Sequence, residues 1–144
     1  MDKKKRLMQT KLTALKSNVE GKRIIVIDDS IIRGETSQHI VNLLRDAGAK
    51  EVHMLVSSPP FVFPCYFGID INDKENLIAN RMTKEQICAE IGADSLGYLS
   101  VESVREIAKD ADIDLCDGCF TKNFSAKVPT TFFVDKYANK ISKK

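Results

Sequence analysis

Two adjacent carboxylates, Asp28 and Asp29, carry the clearest chemical signal in this 144-residue sequence. They end a short apolar run, residues 24–27, whose β-branched side chains show no alternation, as in a strand buried on both faces of a parallel sheet. Ligands of open α/β sheets bind beyond the carboxyl ends of the strands. Carboxylates in that position can accept hydrogen bonds from sugar hydroxyls or hold Mg²⁺ through its waters.

The loop that follows the acidic pair has the composition of an anion site. Gly34 lets the backbone approach a phosphate closely, and the hydroxyls of Ser30, Thr36 and Ser37 can donate to its oxygens. The loop leads into a helix N-terminus, where free N–H groups and the helix dipole favour an anion. The sequence therefore predicts a ligand that is part hydroxyl and part phosphate.

Two other interpretations of the acidic pair remain open. Asp28, Asp29 and Ser30 could simply turn the chain and cap a helix. A phosphoacceptor receiver domain also places an acidic pair after an early strand, but it needs a third aspartate at a later strand end. Asp70 is the one candidate for that role, and it does not follow an apolar strand.

Four cysteines offer a second kind of chemistry. Cys116 and Cys119 form a C-x-x-C with a glycine inside it, a turn that can direct two thiolates toward one metal. No strand-rich redox pattern precedes it and nothing points to export, so metal binding is favoured over thiol exchange or disulfides. We interpret Cys88 as a small core residue, and His39 and His53 as helix-surface and strand residues. The fourth cysteine is Cys65.

A βαβ unit must position the acidic pair. The pattern predicts strands at 24–27 and 52–57, with a helix between them that is capped by Thr36 or Ser37 and closed by Gly48. The apolar face of this helix consists of Ile40, Leu43, Leu44 and Ala47.

Further helices are expected downstream. They are predicted near 74–80 and 83–91, the second with a capping box at Thr83 and an end at Gly92. Ser100 can cap another helix. The apolar face of that helix consists of Val101, Val104, Ile107 and Ala108.

Composition and length favour one soluble, intracellular domain. Hydrophobic residues make up 43% of the chain and charged residues 29%, which argues against a disordered, collagenous or disulfide-rich protein. No apolar run is long enough to span a membrane, and the basic start lacks the apolar stretch of a secretory signal. Residues 1–23 carry eight basic and two acidic side chains without interleaved aromatics. We therefore expect neither a nucleic-acid nor a membrane partner.

Three stretches, in order, resemble one known family. Residues 26–37 resemble the 5-phosphoribosyl-1-pyrophosphate (PRPP) signature of phosphoribosyltransferases, and their Ser-Ile-Ile-Arg-Gly version is similar to that of the glutamine amidophosphoribosyltransferases. Residues 57–70 and 91–100 resemble the latter family alone. The resemblance runs from about residue 11 to residue 124.

The resemblance implies a partial type I phosphoribosyltransferase fold, with a parallel sheet and a βαβ unit, followed by a helical C-terminal segment. In the implied reaction, ammonia released from glutamine displaces pyrophosphate from PRPP and gives 5-phosphoribosylamine, in de novo purine (IMP) biosynthesis. Asp28 and Asp29 would bind the ribose hydroxyls and help to hold Mg²⁺, and no catalytic residue is identified. The other implied PRPP-binding residues are Ser30, Ile31, Ile32, Arg33, Gly34, Glu35, Thr36 and Ser37.

The resemblance also implies an iron–sulfur centre. Cys65, Cys116 and Cys119 match three of the four ligands of a [4Fe–4S] cluster. The fourth ligand lies upstream in the family and has no counterpart here.

Several features depart from the family. Glu35 stands where threonine is usual, and Gln9–Thr10 where basic residues are usual. The glutaminase half, the early strands of the transferase sheet and the loop that contacts pyrophosphate are missing. We therefore expect the C-terminal portion of a longer enzyme, inactive alone, or alternatively a non-catalytic PRPP- or nucleotide-binding module.

The resemblance divides the chain into four regions: a basic lead-in (1–22) that matches the end of the flexible loop, a PRPP-binding βαβ unit (23–60), a helical cluster-binding region (61–130) and a polar tail (131–144). The implied partners are PRPP, glutamine-derived ammonia, the missing glutaminase half, purine nucleotides as candidate inhibitors and, in the full enzyme, further copies in a homo-oligomer. A cytoplasmic location is expected.

Overall fold

A computed structural model describes residues 16–67, 74–111 and 115–128 of the chain. Asp70, Gln9–Thr10 and the predicted tail 131–144 lie outside these residues. The elements within them are α1 (Lys16–Val19), β1 (Arg23–Asp28), α2 (Glu35–Asp46), β2 (Glu51–Val56), the 3₁₀ turns Lys74–Asn76 and Ile78–Asn80, α3 (Lys84–Ile91), β3 (Ser95–Tyr98), α4 (Val101–Asp110) and α5 (Gly118–Thr121).

The strands form one parallel sheet in the order β1-β2-β3. In its register Asp28 lies beside Val56, and Val56 lies beside Tyr98. The helix α2 connects β1 to β2, which confirms the predicted βαβ unit and the α/β class. Because the strands are parallel, their carboxyl ends meet at one edge of the sheet, where the acidic pair lies.

The third strand, β3, was not predicted from the sequence. Its four residues contain a glycine, and among them Leu96 is the one buried apolar side chain. A strand of this kind shows neither an apolar run nor alternation, so periodicity cannot find it. The segment is a strand because it pairs with β2.

The hydrophobic core lies on one face of the sheet, beneath α2 and α3. Val52 and Met54 of β2 are completely buried there, and they alternate with exposed or half-buried neighbours, as a strand covered on one face does. The buried residues of this cluster are Ile31, Val41, Val52, Met54, Val56, Ile78, Ile87, Ile91 and Leu96.

The other face of the sheet is open in the part of the chain that the structure describes. Ile25 and Ile27 of β1 are 64% and 75% exposed, and Leu55 of β2 is 45% exposed. The prediction that β1 is buried on both faces is therefore wrong for the described residues. The residue types suit a doubly covered strand, but no described element packs on the second face.

The ends of α3 and α4 confirm the predicted caps. The Thr83 hydroxyl accepts from the Gln86 N–H at 3.3 Å, and the Gln86 side chain accepts from the Thr83 N–H at 2.9 Å. Gly92 ends α3 with a φ of 77°. At α4, the Ser100 hydroxyl accepts from the Ser103 N–H at 3.0 Å.

Three other predictions require correction. The helix α2 begins at Glu35, so its N-cap is Gly34 and neither Thr36 nor Ser37. Residues 74–80 form two 3₁₀ turns instead of a helix. On α4, Ile107 was expected on the apolar face but is 61% exposed, while Ala108 is buried.

A second, smaller cluster ties the C-terminal segment to the loop that follows β1. Its buried members are Phe61, Leu77 and Cys119, with Ile32 and Phe120 packed against them. The rings of Phe61 and Phe120 meet edge-on with centroids 4.8 Å apart. Residues far apart in the sequence therefore support the loop that follows β1. Among the described residues, no helix is long and apolar enough to cross a membrane.

Candidate functional site

A cavity of about 350 Å³ opens at the carboxyl end of β1. Its lining is continuous in sequence and coincides with the ten residues that the sequence predicts as a ligand site. They are Asp28, Asp29, Ser30, Ile31, Ile32, Arg33, Gly34, Glu35, Thr36 and Ser37. We refer to residues 30–37 as loop 30–37.

The acidic pair is fixed by short-range hydrogen bonds. The Asp28 carboxylate accepts from the Asp29 N–H at 2.9 Å, and the Asp29 carboxylate accepts from the Ser30 hydroxyl at 3.0 Å. The Asp28 carbonyl accepts from the Ser57 N–H at 2.9 Å, which ties the end of β1 to the chain that leaves β2. Each carboxylate retains lone pairs for a ligand hydroxyl or for the waters of Mg²⁺.

Two apolar side chains anchor loop 30–37 to the protein. Ile31 is 2% exposed and belongs to the main core, whereas Ile32 packs in the second cluster. The Ile32 carbonyl accepts from the Ile78 N–H at 2.8 Å. Since the Ile31 side chain is buried, what this residue can offer to a ligand is mainly its backbone.

Gly34 makes the turn from loop 30–37 into α2. Its φ is +87°, and a Cβ placed on it would lie 2.8 Å from Cδ1 of Ile78. As the N-cap, Gly34 supplies no side-chain acceptor to the first turn of this twelve-residue helix. The Thr36 and Ser37 N–H groups of that turn can therefore donate to an anion in the cavity, with the helix dipole adding to the attraction.

The remaining polar side chains of the loop differ in exposure. Arg33, Glu35 and Thr36 are exposed, and Ser37 is 2% exposed. Arg33 adds a positive charge at the cavity. Glu35 also lines the cavity and places a negative charge beside the loop, so the effect of this carboxylate on a bound phosphate stays a prediction.

The 3₁₀ turns at 74–80 are a part of the site that sequence reasoning missed. Leu77 is completely buried against Ile32, and Ile78 contacts the loop through both its backbone and its side chain. The one signal in the sequence is the apolar pair Leu77–Ile78 within a polar stretch. Such a pair indicates burial without saying against what.

Two of the predicted cluster ligands, Cys65 and Cys116, lie close enough to the third, Cys119, to act on it electrostatically. Burial, and after it the nearby Cys65 and Cys116, raise the pKa of the Cys119 thiol to about 11. Cys116 is exposed, and its pKa is lowered by the Gly118 N–H and by hydrogen bonds from Ser125. Of the two thiols in the C-x-x-C, Cys116 therefore forms a thiolate more readily than Cys119.

These thiols nevertheless do not form a ready metal site. Across the described ranges, no group of three or more His, Cys, Asp or Glu side chains is arranged to hold a metal ion. None of the four cysteines forms a disulfide. Cys88 donates its thiol to the Ala93 carbonyl at 3.2 Å and packs against the main core, in agreement with its interpretation as a core residue. The [4Fe–4S] assignment therefore stays a prediction.

A Mg²⁺ site needs fewer protein ligands than an iron–sulfur cluster does. Mg²⁺ keeps several waters and usually takes one or two carboxylates together with substrate phosphates. Asp28 and Asp29 at the mouth of the cavity fit that requirement.

The ring nitrogens of His53 both lie within hydrogen-bond distance of side chains in the sheet. Its Nδ1 lies 2.8 Å from the Ser95 hydroxyl and its Nε2 lies 3.0 Å from the Glu51 carboxylate. Both ring nitrogens are thus used within the sheet, which agrees with its interpretation as a strand residue and not a ligand. His39, expected on the helix surface, is instead half-buried, with an Nε2 that has no partner among the described residues.

The chain is similar to curated proteins along most of its length. It is 46% identical over 129 residues to the amidophosphoribosyltransferase of Bacillus subtilis, and 45% identical over 124 residues to that of Archaeoglobus fulgidus. The matches cover 89% and 85% of this chain. They cover 27% of each relative, so the chain spans about a quarter of the length of these relatives. No family model matches.

A solved structure agrees with this similarity. The glutamine PRPP amidotransferase from B. subtilis, complexed with ADP and GMP, superposes with a TM-score of 0.75 at 40% identity. The superposition covers 91% of this chain and 30% of that one.

The parallel sheet with its acidic strand end and anion loop defines a phosphoribosyltransferase-type α/β unit. More specifically, the chain is similar along most of its length to amidophosphoribosyltransferases, and it matches about a quarter of the length of each.

Proposed function

We propose that this chain is the PRPP-binding part of an amidophosphoribosyltransferase. One observation carries the proposal: the residues of the PRPP signature line a single cavity, and this lining includes two carboxylates and the N-terminus of a helix. A sugar phosphate has hydroxyls for the carboxylates and a phosphate for the helix N-terminus. The similarity to amidophosphoribosyltransferases supports the same assignment.

Different residues bind the two parts of the ligand. Asp28 and Asp29 accept hydrogen bonds from the ribose hydroxyls and hold Mg²⁺ through its waters. Loop 30–37 binds the 5-phosphate with the N–H groups of α2, the Thr36 hydroxyl and the positive charge of Arg33. Ile31 and Ile32 anchor the loop by packing into the two hydrophobic clusters.

The proposed reaction is displacement of pyrophosphate from PRPP by ammonia released from glutamine, which gives 5-phosphoribosylamine for purine synthesis. Mg²⁺, when bound, neutralises charge on the leaving pyrophosphate. The described residues contribute mainly by holding the ribose in position, which supplies a large part of the rate in such reactions. We assign no general base to them.

Other features of the full enzyme belong to this proposal as well. They are a glutaminase portion on another stretch of polypeptide, a homo-oligomer, a cytoplasmic location, purine nucleotides as inhibitors and the division of the chain at residues 22, 60 and 130. The solved B. subtilis relative is complexed with ADP and GMP, which supports the proposal that purine nucleotides act on the full enzyme. Cys65, Cys116 and Cys119 are the proposed [4Fe–4S] ligands, and no step of the reaction is assigned to the cluster.

Titration calorimetry with Mg²⁺ and PRPP tests the proposal. The full chain is purified together with the part of the B. subtilis relative that lies outside its match. We expect the double variant Asp28→Asn, Asp29→Asn to bind PRPP at least about tenfold more weakly, because two charge-assisted hydrogen bonds are lost. Asp46→Asn, an exposed carboxylate at the far end of α2, is the control. Equal affinity in the double variant and the control would contradict the assignment.

A non-catalytic PRPP- or nucleotide-binding module is the second candidate. The match to only about a quarter of each relative favours it. If the chain alone binds Mg²⁺ and PRPP, and its mixture with the remainder of the relative yields no phosphoribosylamine, the module is the better description. If the mixture forms phosphoribosylamine and the double variant abolishes that turnover, the enzyme is the better description.

A further inference from the structure

A third carboxylate lies in the cavity that we assign to PRPP. Glu35 is the first residue of α2, it is exposed, and it belongs to the lining of the cavity. The charged side chains in that lining are one guanidinium and three carboxylates, from Arg33, Asp28, Asp29 and Glu35. The side chains around the cavity therefore carry more negative than positive charge, although the proposed ligand is itself an anion.

The acidic pair has a role that Glu35 does not share. Asp28 ends β1 and Asp29 follows it, in the position where carboxylates can accept from ribose hydroxyls or hold the waters of Mg²⁺. Glu35 instead begins α2. Among the residues that the structure describes, no group of three or more His, Cys, Asp or Glu side chains is arranged to hold a metal ion. Glu35 therefore does not complete a cation site with the pair.

The Glu35 carboxylate and a bound phosphate gain from the same positive field. The free N–H groups and the dipole at the start of a helix stabilise an acidic side chain in the first turn. They stabilise a phosphate bound at that turn in the same way. Gly34, the N-cap of α2, places no side-chain acceptor on these N–H groups. Since the carboxylate and the phosphate are both anions near one helix end, each weakens the attraction of the other.

We propose that Glu35 sets the affinity of this site, because its carboxylate competes with the 5-phosphate of PRPP for the N-terminus of α2. The proposal rests on the proposed function. In the unliganded protein the carboxylate stabilises α2, and in the complex it repels the phosphate. The same charge therefore raises stability and lowers affinity. A residue that merely supports the fold of the loop would raise both.

Glu35→Gln tests the proposal, because it removes the charge and keeps the size of the side chain. The full chain, purified with the part of the B. subtilis relative that lies outside its match, is titrated calorimetrically with PRPP in the presence of Mg²⁺. We expect the variant to bind PRPP about three- to tenfold more tightly than the wild type. Its Tm should be about 1–3 °C lower. Raising the NaCl concentration from about 0.05 M to about 0.5 M should reduce the gain in affinity, since salt screens exposed charges.

Two variants serve as controls. Glu35→Asp keeps the charge in the first turn of α2, so it should bind PRPP within about twofold of the wild-type affinity. Glu85 lies in the first turn of α3 and is not part of the cavity lining. Glu85→Gln therefore removes a matched charge from another helix. It should lower Tm by a similar amount and leave the affinity for PRPP unchanged.

Three outcomes would overturn the proposal. They are unchanged or weaker PRPP binding by Glu35→Gln, equally tightened binding by Glu35→Gln and Glu35→Asp, and a gain in affinity that salt does not reduce. The acidic pair separates this proposal from the proposed function. If PRPP binding depends on Asp28 and Asp29 but Glu35→Gln leaves it unchanged, the role of Glu35 alone is wrong. If neither the wild type nor Glu35→Gln binds PRPP, the proposed function is wrong as well.

Discussion

The side chain of Ile78 fills the space that any side chain at Gly34 would need. Its Cδ1 atom lies 2.8 Å from the position of an added Cβ. Ile78 also donates its N–H to the Ile32 carbonyl at 2.8 Å. One residue of a 3₁₀ turn therefore fixes two points of loop 30–37, and the shape of the anion site depends on a segment more than 40 residues away in sequence.

The first prediction concerns Gly34→Ala. It should destabilise the protein by about 2–4 kcal/mol, because a left-handed alanine costs about 1–2 kcal/mol and the clash with Ile78 adds a similar amount. Chemical unfolding measures the loss. Gly21→Ala is the matched control, since Gly21 has a φ of +72° with nothing within 4 Å of an added Cβ. If both variants lose the same free energy of unfolding, the contact with Ile78 contributes nothing.

The second prediction is a coupling between Gly34 and Ile78. Ile78→Ala alone should cost about 2–5 kcal/mol, as for other buried isoleucines. In that background the Cδ1 atom is absent, so Gly34→Ala should cost about 1–2 kcal/mol less than it does in the wild type. A double-mutant cycle of unfolding free energies gives this coupling. Additive losses would mean that the two residues do not meet in solution.

The contact between Gly34 and Ile78 also shows where sequence reasoning stops. The sequence indicates a glycine in the loop, because close approach and positive φ are properties of the residue type. It cannot indicate Ile78 as the neighbour, because that contact depends on how the chain returns to the sheet. The caps of α3 and α4 were predictable since each is decided within four residues.

The sheet shows the same limit of prediction from local sequence. The apolar runs of β1 and β2 identify them as strands, whereas β3, with its glycine, is defined by its pairing with β2. The residue types of β1 suggest burial on both faces, and Ile25 and Ile27 are nevertheless exposed. Local sequence records which surfaces are apolar but does not say which polypeptide covers them.

The third prediction is a loss of stability in acid that depends on Asp94. Its carboxylate accepts from the Val52 N–H and from Arg45, both at 2.6 Å. The Val52 N–H and then Arg45 lower its pKa below the ordinary value, against the effect of burial. A lowered folded-state pKa contributes stability above the unfolded-state pKa, about 3.9, and this contribution disappears as the pH falls through the folded-state value.

Unfolding of Asp94→Asn at different pH values checks this prediction. The variant should be less stable than the wild type at pH 7, and the difference should shrink below about pH 4. A difference that stays constant down to pH 2 would exclude the carboxylate charge as its source.

The fourth prediction concerns the two thiols of the C-x-x-C in chain that has been stripped of metal. Cys116 is exposed and its pKa is lowered by the Gly118 N–H, whereas burial raises the pKa of Cys119 to about 11. Since the thiolate is the nucleophile, iodoacetamide at pH 7.5 should alkylate Cys116 at least about tenfold faster. Peptide mass spectrometry over time measures both rates, and labelling in denaturant should remove the difference. Equal rates in the folded chain would show that Cys119 is not held in the cluster with Phe61 and Leu77.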